Sequence, residues 1–265
     1  MVDYFQESRA AIDARVDADM RQSAAALDVK DSRERVALAC RLLADEGHAR
    51  SLAGQVTVRV GDGTFWTNDF SSGLAGVSAD TILRIDDRMQ VVEGEGKPNP
   101  AIRFHLWIYD RRPDLASIIH THPPAASALS MVGEELIVAH MDATMFYNDC
   151  AFLAEWPGVP IYNEEGRIIS EALGDKRSIL LAHHGLLTTG RSLDEALYLA
   201  IYLERACEMQ LAASAVGAIR PIDPARAAEG HAFMSKPAMI STSVNYWLRQ
   251  VRRRHPDALA VPAGR

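Results

Sequence analysis

Apolar residues along the chain follow two rhythms: a three-to-four-residue spacing that buries one face of a helix, and an alternation that buries one face of a strand. Between Arg33 and Glu46 the positions Val36, Ala39, Cys40, Leu42 and Leu43 follow the first, and Gly47 supplies a left-handed end, so a helix is predicted there. QVTVRV (55–60) and TFWTN (64–68) follow the second around Gly61-Asp62-Gly63, which predicts a β-hairpin. TILRID (81–86) and MQVVEG (89–94) predict another, turning at Asp86-Asp87. Asn99 followed by Pro100 is a helix start, and Pro113 a stop, giving a helix over 100–112. In ASIIHTHPP, Ser117, Ile118 and Ile119 form a strand that Pro123-Pro124 halts just after two histidines. SILLAHHGLLTTG repeats that logic: an apolar strand, two histidines, Gly185 and a second apolar run. Ser192-Leu-Asp-Glu195 reads as a capping box. It opens a long helix with Leu193, Ala196, Leu197, Ala200, Ile201, Cys207 and Leu211 along one side.

Toward the ends the pattern is weaker. Residues 6–29, rich in Ala, Arg, Asp and Gln, predict an exposed lead-in helix, and Pro221, Pro224 and Pro237 read as connections before a helix at 238–254. With no internal repeat or linker, the expected organisation is one domain over 33–217, with helical extensions at 1–32 and 218–265. Hairpins mixed with helices predict an α/β fold whose sheet is antiparallel or mixed and covered by helices, not a Rossmann unit.

Composition changes this picture mainly by exclusion. A length of 265 residues with 48% hydrophobic and 24% charged residues is that of a globular protein. A net charge of -7 gives no basic field for nucleic acid or an anionic membrane. Cys40, Cys150 and Cys207 are scattered and odd in number, so they are expected to be reduced thiols. No apolar leader or run of about 18 apolar residues is seen, so a cytoplasmic location is expected.

The candidate chemistry lies in the nine histidines. His120 and His122 flank Thr121 at a strand end, and a period of two puts both imidazoles on one face, roughly 6.5–7 Å apart along the strand and close enough to chelate one ion. His183-His184 supplies a third imidazole beside Gly185. An isolated His-x-His is most often a surface or hydrogen-bonded pair. Two clusters, each at a strand end beside a turn, favour a catalytic metal set with an open position.

GQVTVR, RFHLWIYDRRPD, IIHTHPPAASAL and LLAHHGLLTTGRSLDEALYLAIYLERACEMQ, in that order over roughly residues 33–215, resemble the class II aldolase/adducin family. The resemblance implies a three-layer α-β-α fold with a central, mainly antiparallel sheet. It implies one divalent metal ion per subunit (Zn, Fe(II) or Mn) on His120, His122 and His184, a small-molecule substrate, and a homo-oligomer, with a tetramer favoured. The family's sugar-phosphate aldolases carry an acid/base carboxylate two residues before this Arg-Phe-His, where this chain has Ala101. Their phosphate-cradling serines correspond to Asn99 and Pro100, the Asn of their Gly-Asn-Val-Ser to Gln55, and their threonine-glycine loop to NDFSSGLAG. A phosphorylated sugar is therefore not expected as substrate.

The groups available to replace the carboxylate are Glu93 and Glu95 in VVEGEG, which equally reads as a solvated turn, and His140, Asp142 and Tyr147 in VAHMDATMFYND, which equally read as structural. The expected catalytic residues are His140, Tyr147 and Glu95, and the expected substrate-binding residues Gln55, Asn99, Arg103, His105 and Asp142. The leading functional expectation is a metal-dependent carbon–carbon lyase, an aldolase or decarboxylase, acting on a non-phosphorylated 2-oxo or 2-hydroxy acid. VVEGEGKPNPAIRFHLW, AHMD, NDCAFL and GDKRSILLAHHG also resemble a branch containing a non-haem iron oxygenase of aminocoumarin biosynthesis, so the alternative is Fe(II)-dependent oxidative decarboxylation of an aromatic 2-oxo or 2-hydroxy acid. A third reading, a metal-free adducin-like binding protein, gives no physical reason to keep all three histidines.

Overall fold

The computed structural model describes residues 6–23, 27, 29, 31–49 and 51–259. Its centre is built outward from two adjacent strands, β1 (Gln55–Arg59) and β5 (Ser117–Thr121), which pair antiparallel with Gln55 opposite His120. On the β1 side the sheet continues antiparallel through β2 (Phe65–Asn68), β3 (Ile82–Ile85) and β4 (Val91–Glu93), the two hairpins that the alternation predicts. On the β5 side come β8 (Gly185–Gly190) and β7 (Ser178–Leu181), also antiparallel, and then β6 (Cys150–Leu153), which lies parallel to β7. The result is one eight-stranded, mainly antiparallel sheet.

Helices cover both faces, because the inner strands are apolar on both. Ile119, Leu180 and Leu186 face a core shared with α2 (Ser32–Asp45), α4 (Pro124–Met131), α6 (Leu193–Ser214) and α8 (Pro237–Arg254). Ile118, Ile179, Leu181 and Leu187 face a second core under α3 (Ile102–Arg111) and α5 (Asn163–Leu173). Strand alternation therefore assigns every residue of β5 to one core or the other. The architecture is a three-layer α-β-α fold. α1 (Arg9–Ser23) packs on α8, and α7 (Pro224–Met234) on the short 3-10 segment Met141–Phe146. Among the described residues no helix is long and apolar enough to cross a membrane.

Several local expectations change. The lead-in helix is confined to Arg9–Ser23; residues 24–26, 28 and 30 lie outside the described residues. The helix expected from Pro100 starts at Ile102: Asn99 Oδ1 accepts from the Ala101 N–H at 2.9 Å, making a turn that precedes the helix, and Ala101 holds the N-cap position. At Ser192 only half of the capping box forms. Ser192 Oγ accepts from the Glu195 N–H, but the Glu195 carboxylate accepts from the Arg191 N–H at 2.7 Å and pairs with Arg177 at 2.8 Å. The stronger charged partner draws it from the cap. Pro224, read as a connection, is the first residue of α7 behind the N-cap Asp223. α4, α5 and β6 were also not anticipated.

α6 packs against the face of the sheet that carries Ile119 and Leu186, and Leu197 on it is wholly buried. Leu197→Ala is expected to cost about 2–5 kcal/mol by leaving a cavity in this core, measured as a fall in the urea unfolding midpoint at unchanged slope.

Candidate metal centre

β5 and β8 deliver the histidines. Alternation points His120 toward α3 and Thr121 toward α2 and α6; beyond Thr121 the chain leaves the sheet at His122 and turns through Pro123 into α4. On the neighbouring strands, Leu181 O accepts from the His184 N–H at 3.0 Å, closing a turn in which His183 adopts φ +57°. That turn brings His184 beside the other two rings. Gly185 is what allows it, since a Cβ there would lie 2.4 Å from Thr121 O and 3.1 Å from the His122 ring. The glycine is demanded by the contact between strands.

The ligand nitrogens of His120, His122 and His184 all lie within 4.8 Å of one another, and the ring centroids are 4.6–4.8 Å apart in pairs. His120 Nδ1 is 2.8 Å from Leu186 O, an atom that can only accept, so Nδ1 carries the proton and Nε2 presents its lone pair. That lone pair faces His122 Nε2 at 2.9 Å. Such a gap is filled by a shared proton or a cation. A spacing of about 3 Å is what two nitrogens take at right angles on an ion with bonds of about 2.1 Å. The donor set thus fits a divalent ion of the imidazole-binding kind, and among the described residues no carboxylate or thiolate joins the cluster. Burial lowers the pKa of all three, His184 to about 4; the neighbouring imidazoles add to the effect at His120 and His184. All three shifts favour the neutral imidazole, the form in which a ring nitrogen can hold an ion.

On the α3 side the surroundings combine one aromatic ring with buried polar groups. Phe104 meets the His120 ring edge-on at 5.1 Å, and Gln55, directly opposite His120, is buried with Oε1 lacking a partner. His105 is wholly buried; its Nδ1 lies 2.9 Å from Thr57 Oγ1 and its Nε2 has no partner. On the opposite face His48, just beyond α2, places Nδ1 2.8 Å from Thr121 Oγ1. Burial pushes both His48 and His105 down to about 3. The start of α4 is held by Glu204 of α6, whose buried carboxylate accepts from the Ala125 and Ala126 N–H groups at 2.8 and 2.7 Å. Burial raises the pKa of Glu204 against these two hydrogen bonds.

Among the described residues, the others singled out in the sequence make no hydrogen bond or ring contact with the three imidazoles. Asn99 is buried in the turn before α3, and Arg103, on α3, reaches Asn163 at 3.4 Å. Glu95 is exposed in the loop after β4. His140 and Asp142 are exposed at the start of the 3-10 segment, where His140 Nδ1 accepts from the Asp142 N–H at 3.3 Å; Tyr147 follows that segment. Four cavities of about 600–890 Å³ are lined by none of the three histidines. Sequence reasoning missed Glu204 and His48. Glu204 had a readable signal: it falls within the apolar stripe Ala200, Ile201, Cys207, where a carboxylate needs buried partners. His48, in Glu46-Gly47-His48, sits in no periodic pattern.

The family model described as "Class II Aldolase and Adducin N-terminal domain" matches residues 34–211. The chain is 30% identical over 224 residues to 3,4-dihydroxyphthalate decarboxylase of Arthrobacter keyseri, covering 79% of this chain and 90% of that one. It is 32% identical over 175 residues to 4-hydroxy-3-prenylphenylpyruvate oxygenase/4-hydroxy-3-prenylbenzoate synthase of Streptomyces roseochromogenus subsp. oscitans, covering 64% of this chain and 63% of that relative's length. Among solved structures, L-fuculose 1-phosphate aldolase from Glaciozyma antarctica PI12 superposes with a TM-score of 0.81 at 26% identity, over 91% of this chain and 99% of that one.

Two outcomes follow from the geometry. Gly185→Ala is expected to separate the start of β8 from Thr121 and weaken metal uptake at least ten-fold, within the range that disturbed ligand support costs, as read by metal titration of the folded variant. In the metal-free protein, His48, His105 and His184 have folded pKa values below the unfolded 6.5. The unfolded chain therefore binds more protons as the pH drops. Stability is full above pH about 6.5 and is lost as the pH falls toward 4 and then 3, at about 1.4 kcal/mol per pH unit for each fully buried imidazole. Urea unfolding of metal-free protein at pH 7 and pH 5 measures it.

Proposed function

From the premise that this chain belongs to the class II aldolase and adducin family, we propose that it is a metal-dependent carbon–carbon lyase acting on a non-phosphorylated oxo or hydroxy acid, with decarboxylation favoured over aldol cleavage. The observation that carries the reading is the ligand set: three converging neutral imidazoles, no carboxylate among them, and alanine at position 101 before Arg103-Phe104-His105. Aldol cleavage needs a base to remove a hydroxyl proton, a contribution typically worth 10²–10⁴-fold. Decarboxylation of a 3-oxo acid has no such requirement, and that of an ortho-hydroxy aromatic acid asks only for loss of an acidic phenolic proton.

In this reading His120, His122 and His184 hold one divalent ion. When bound, that ion supplies a Lewis acid to the substrate oxygen that receives charge. The net reaction exchanges carbon dioxide for a proton. In a 3-oxo acid the bond to the carboxylate carbon breaks, its electron pair passes to the oxo oxygen and a proton takes the vacated position. In an ortho-hydroxy aromatic acid the carboxylate-bearing ring carbon takes the proton first as the hydroxyl gives up its own, and the bond then breaks with the pair passing to that oxygen as phenolate. For the pair to reach that oxygen, the oxo or hydroxy group must sit on the carbon adjacent to the one bearing the carboxylate, as in a 3-oxo acid or an ortho-hydroxy aromatic acid. A 2-oxo acid with a hydroxyl at carbon 4 suits aldol cleavage instead, where the breaking bond leaves an enolate.

The chain's own groups are given these parts. Gln55 offers its unpartnered carbonyl oxygen beside His120 to a substrate hydroxyl, and Phe104 keeps water from the far side of the His120 ring. Arg103 is assigned to a substrate carboxylate, with Asn99, His105 and Asp142 as further polar contacts. His140, Tyr147 and Glu95 are the groups proposed to move the proton. The 3,4-dihydroxyphthalate decarboxylase relative, aligned over most of both chains, supports an aromatic acid. Oxidative decarboxylation is the second reading. The all-nitrogen ligand set and the oxygenase relative favour it, and it requires Fe(II) and O2 as co-reactants.

The test is anaerobic assay of the chain reconstituted separately with Zn(II), Mn(II) and Fe(II), following carbon dioxide release from ortho-hydroxy aromatic acids and 3-oxo acids. Release without O2 supports the lyase; turnover of aromatic 2-oxo acids only with Fe(II) and O2, with matching oxygen uptake, selects the second reading. Ala101→Glu is expected to raise aldol cleavage of 4-hydroxy-2-oxo acids by about 10²-fold if the scaffold is otherwise that of an aldolase.

A further inference from the structure

His48 is 0% exposed, and its pKa of about 3 makes it neutral throughout the working range. It lies in the layer of α2, on the opposite face of the sheet from the three ligand rings. Among the described residues its side chain makes one hydrogen bond, to Thr121 Oγ1 at 2.8 Å, and Nε2 has no partner. Thr121 stands between His120 and His122 and, being one step along the strand from each, projects to the other face. It is also the last residue of β5. The ladder to β8 runs through Thr121 opposite Leu186 and stops there, so His122 lies beyond the sheet.

His122 therefore needs support from something other than the ladder. One anchor is ahead of it: Glu204 holds the first N–H groups of α4. The other is behind it. A threonine side chain has a single torsion before its hydroxyl, so fixing Oγ1 fixes the Cα–Cβ direction of Thr121 and with it the peptide that leads into His122. The Thr121 carbonyl is pressed against Gly185 on the β8 side. With the hydroxyl held by His48, Thr121 cannot roll about the strand axis, a motion that would carry His120 and His122 out of line with His184. Packing does not account for a histidine here, because a buried imidazole with one unpaired nitrogen is less favourable than a satisfied or apolar group.

We propose that His48 is a positioning residue of the metal centre: through Thr121 Oγ1 it locks the strand end that carries His120 and His122, so that the three ligand nitrogens are preset for one ion. This rests on the metal-centre reading above and adds a residue from outside the ligand set, on the far side of the sheet. It also gives the unpaired nitrogen an explanation, since a single directed hydrogen bond to Thr121 is what the site requires and a second partner is not.

The probe is Co(II), whose visible spectrum reports the geometry of its ligands. Metal-free wild type, Thr121→Val, His48→Leu and His48→Asn are titrated with Co(II). Valine keeps the shape of threonine and removes only the hydroxyl; asparagine places an amide where Nδ1 stood and can keep the hydrogen bond. Thr121→Val and His48→Leu are expected to bind Co(II) about ten-fold more weakly with an altered spectrum, and His48→Asn to recover wild-type spectrum and affinity to within about three-fold. If His48→Leu fails to fold, Thr121→Val alone decides. Wild-type affinity and spectrum in Thr121→Val would overturn the inference, as would His48→Asn behaving like His48→Leu. A wild-type chain that takes up no Co(II) would instead overturn the metal-centre reading on which this rests.

Discussion

Three imidazole nitrogens held within 4.8 Å of one another are a stable arrangement only while none of them carries its own charge or while all of them share one cation. Much of the local architecture serves that constraint. Burial holds His120 toward its neutral form while His122 keeps an exposed edge, the Leu186 carbonyl fixes which nitrogen of His120 is bare, and Gly185 lets two strand ends come closer than any side chain would permit. Glu204 anchors α4 behind His122 from one of the two helical layers, and Phe104 covers His120 from the other. The sheet between them is mainly antiparallel, which places the end of β5 beside the start of β8 and so collects residues more than sixty positions apart in sequence.

The second feature of the centre is the residue type it lacks. A carboxylate beside a metal gives a base for hydroxyl protons, and aldol cleavage depends on one. Here the position before Arg103-Phe104-His105 is Ala101, which occupies the N-cap of α3 with no side-chain hydrogen bond. The polar groups near His120 on that face, Gln55 and His105, are neutral. Their unpartnered atoms suit orientation of a substrate oxygen better than removal of a proton. The proposed decarboxylase reading rests on this composition, which would polarise an acid and offer no carboxylate base beside the ion.

Legibility in the sequence followed the physics of each element. The two hairpins, α2, α6 and α8 have strong periodicity and were predicted within a few residues. α4 and α7 begin at prolines, which read equally as breaks, and only the preceding residue in space decides; Asp223 does so for α7. β6 sits at the sheet edge with all its residues half-buried, so its alternation carries no contrast. The histidines were readable because a period of two and two strand ends are local properties. Their supports were not: His48 meets Thr121 seventy-three residues away, and Glu204 meets Ala125 seventy-nine away. Such contacts appear only once the sheet order is known. Glu195 shows the converse, a local capping motif half overridden by a charged partner, Arg177, delivered by tertiary structure.

The central claim is that His120, His122 and His184 together bind one divalent ion. Elemental analysis of untagged protein purified without chelator, joined to X-ray absorption at the edge of the metal found, tests it most directly. One ion per chain with about three imidazole nitrogens at roughly 2.0–2.1 Å is the predicted result. Protein free of metal that takes up none on reconstitution, or an ion held chiefly by oxygen, would contradict it.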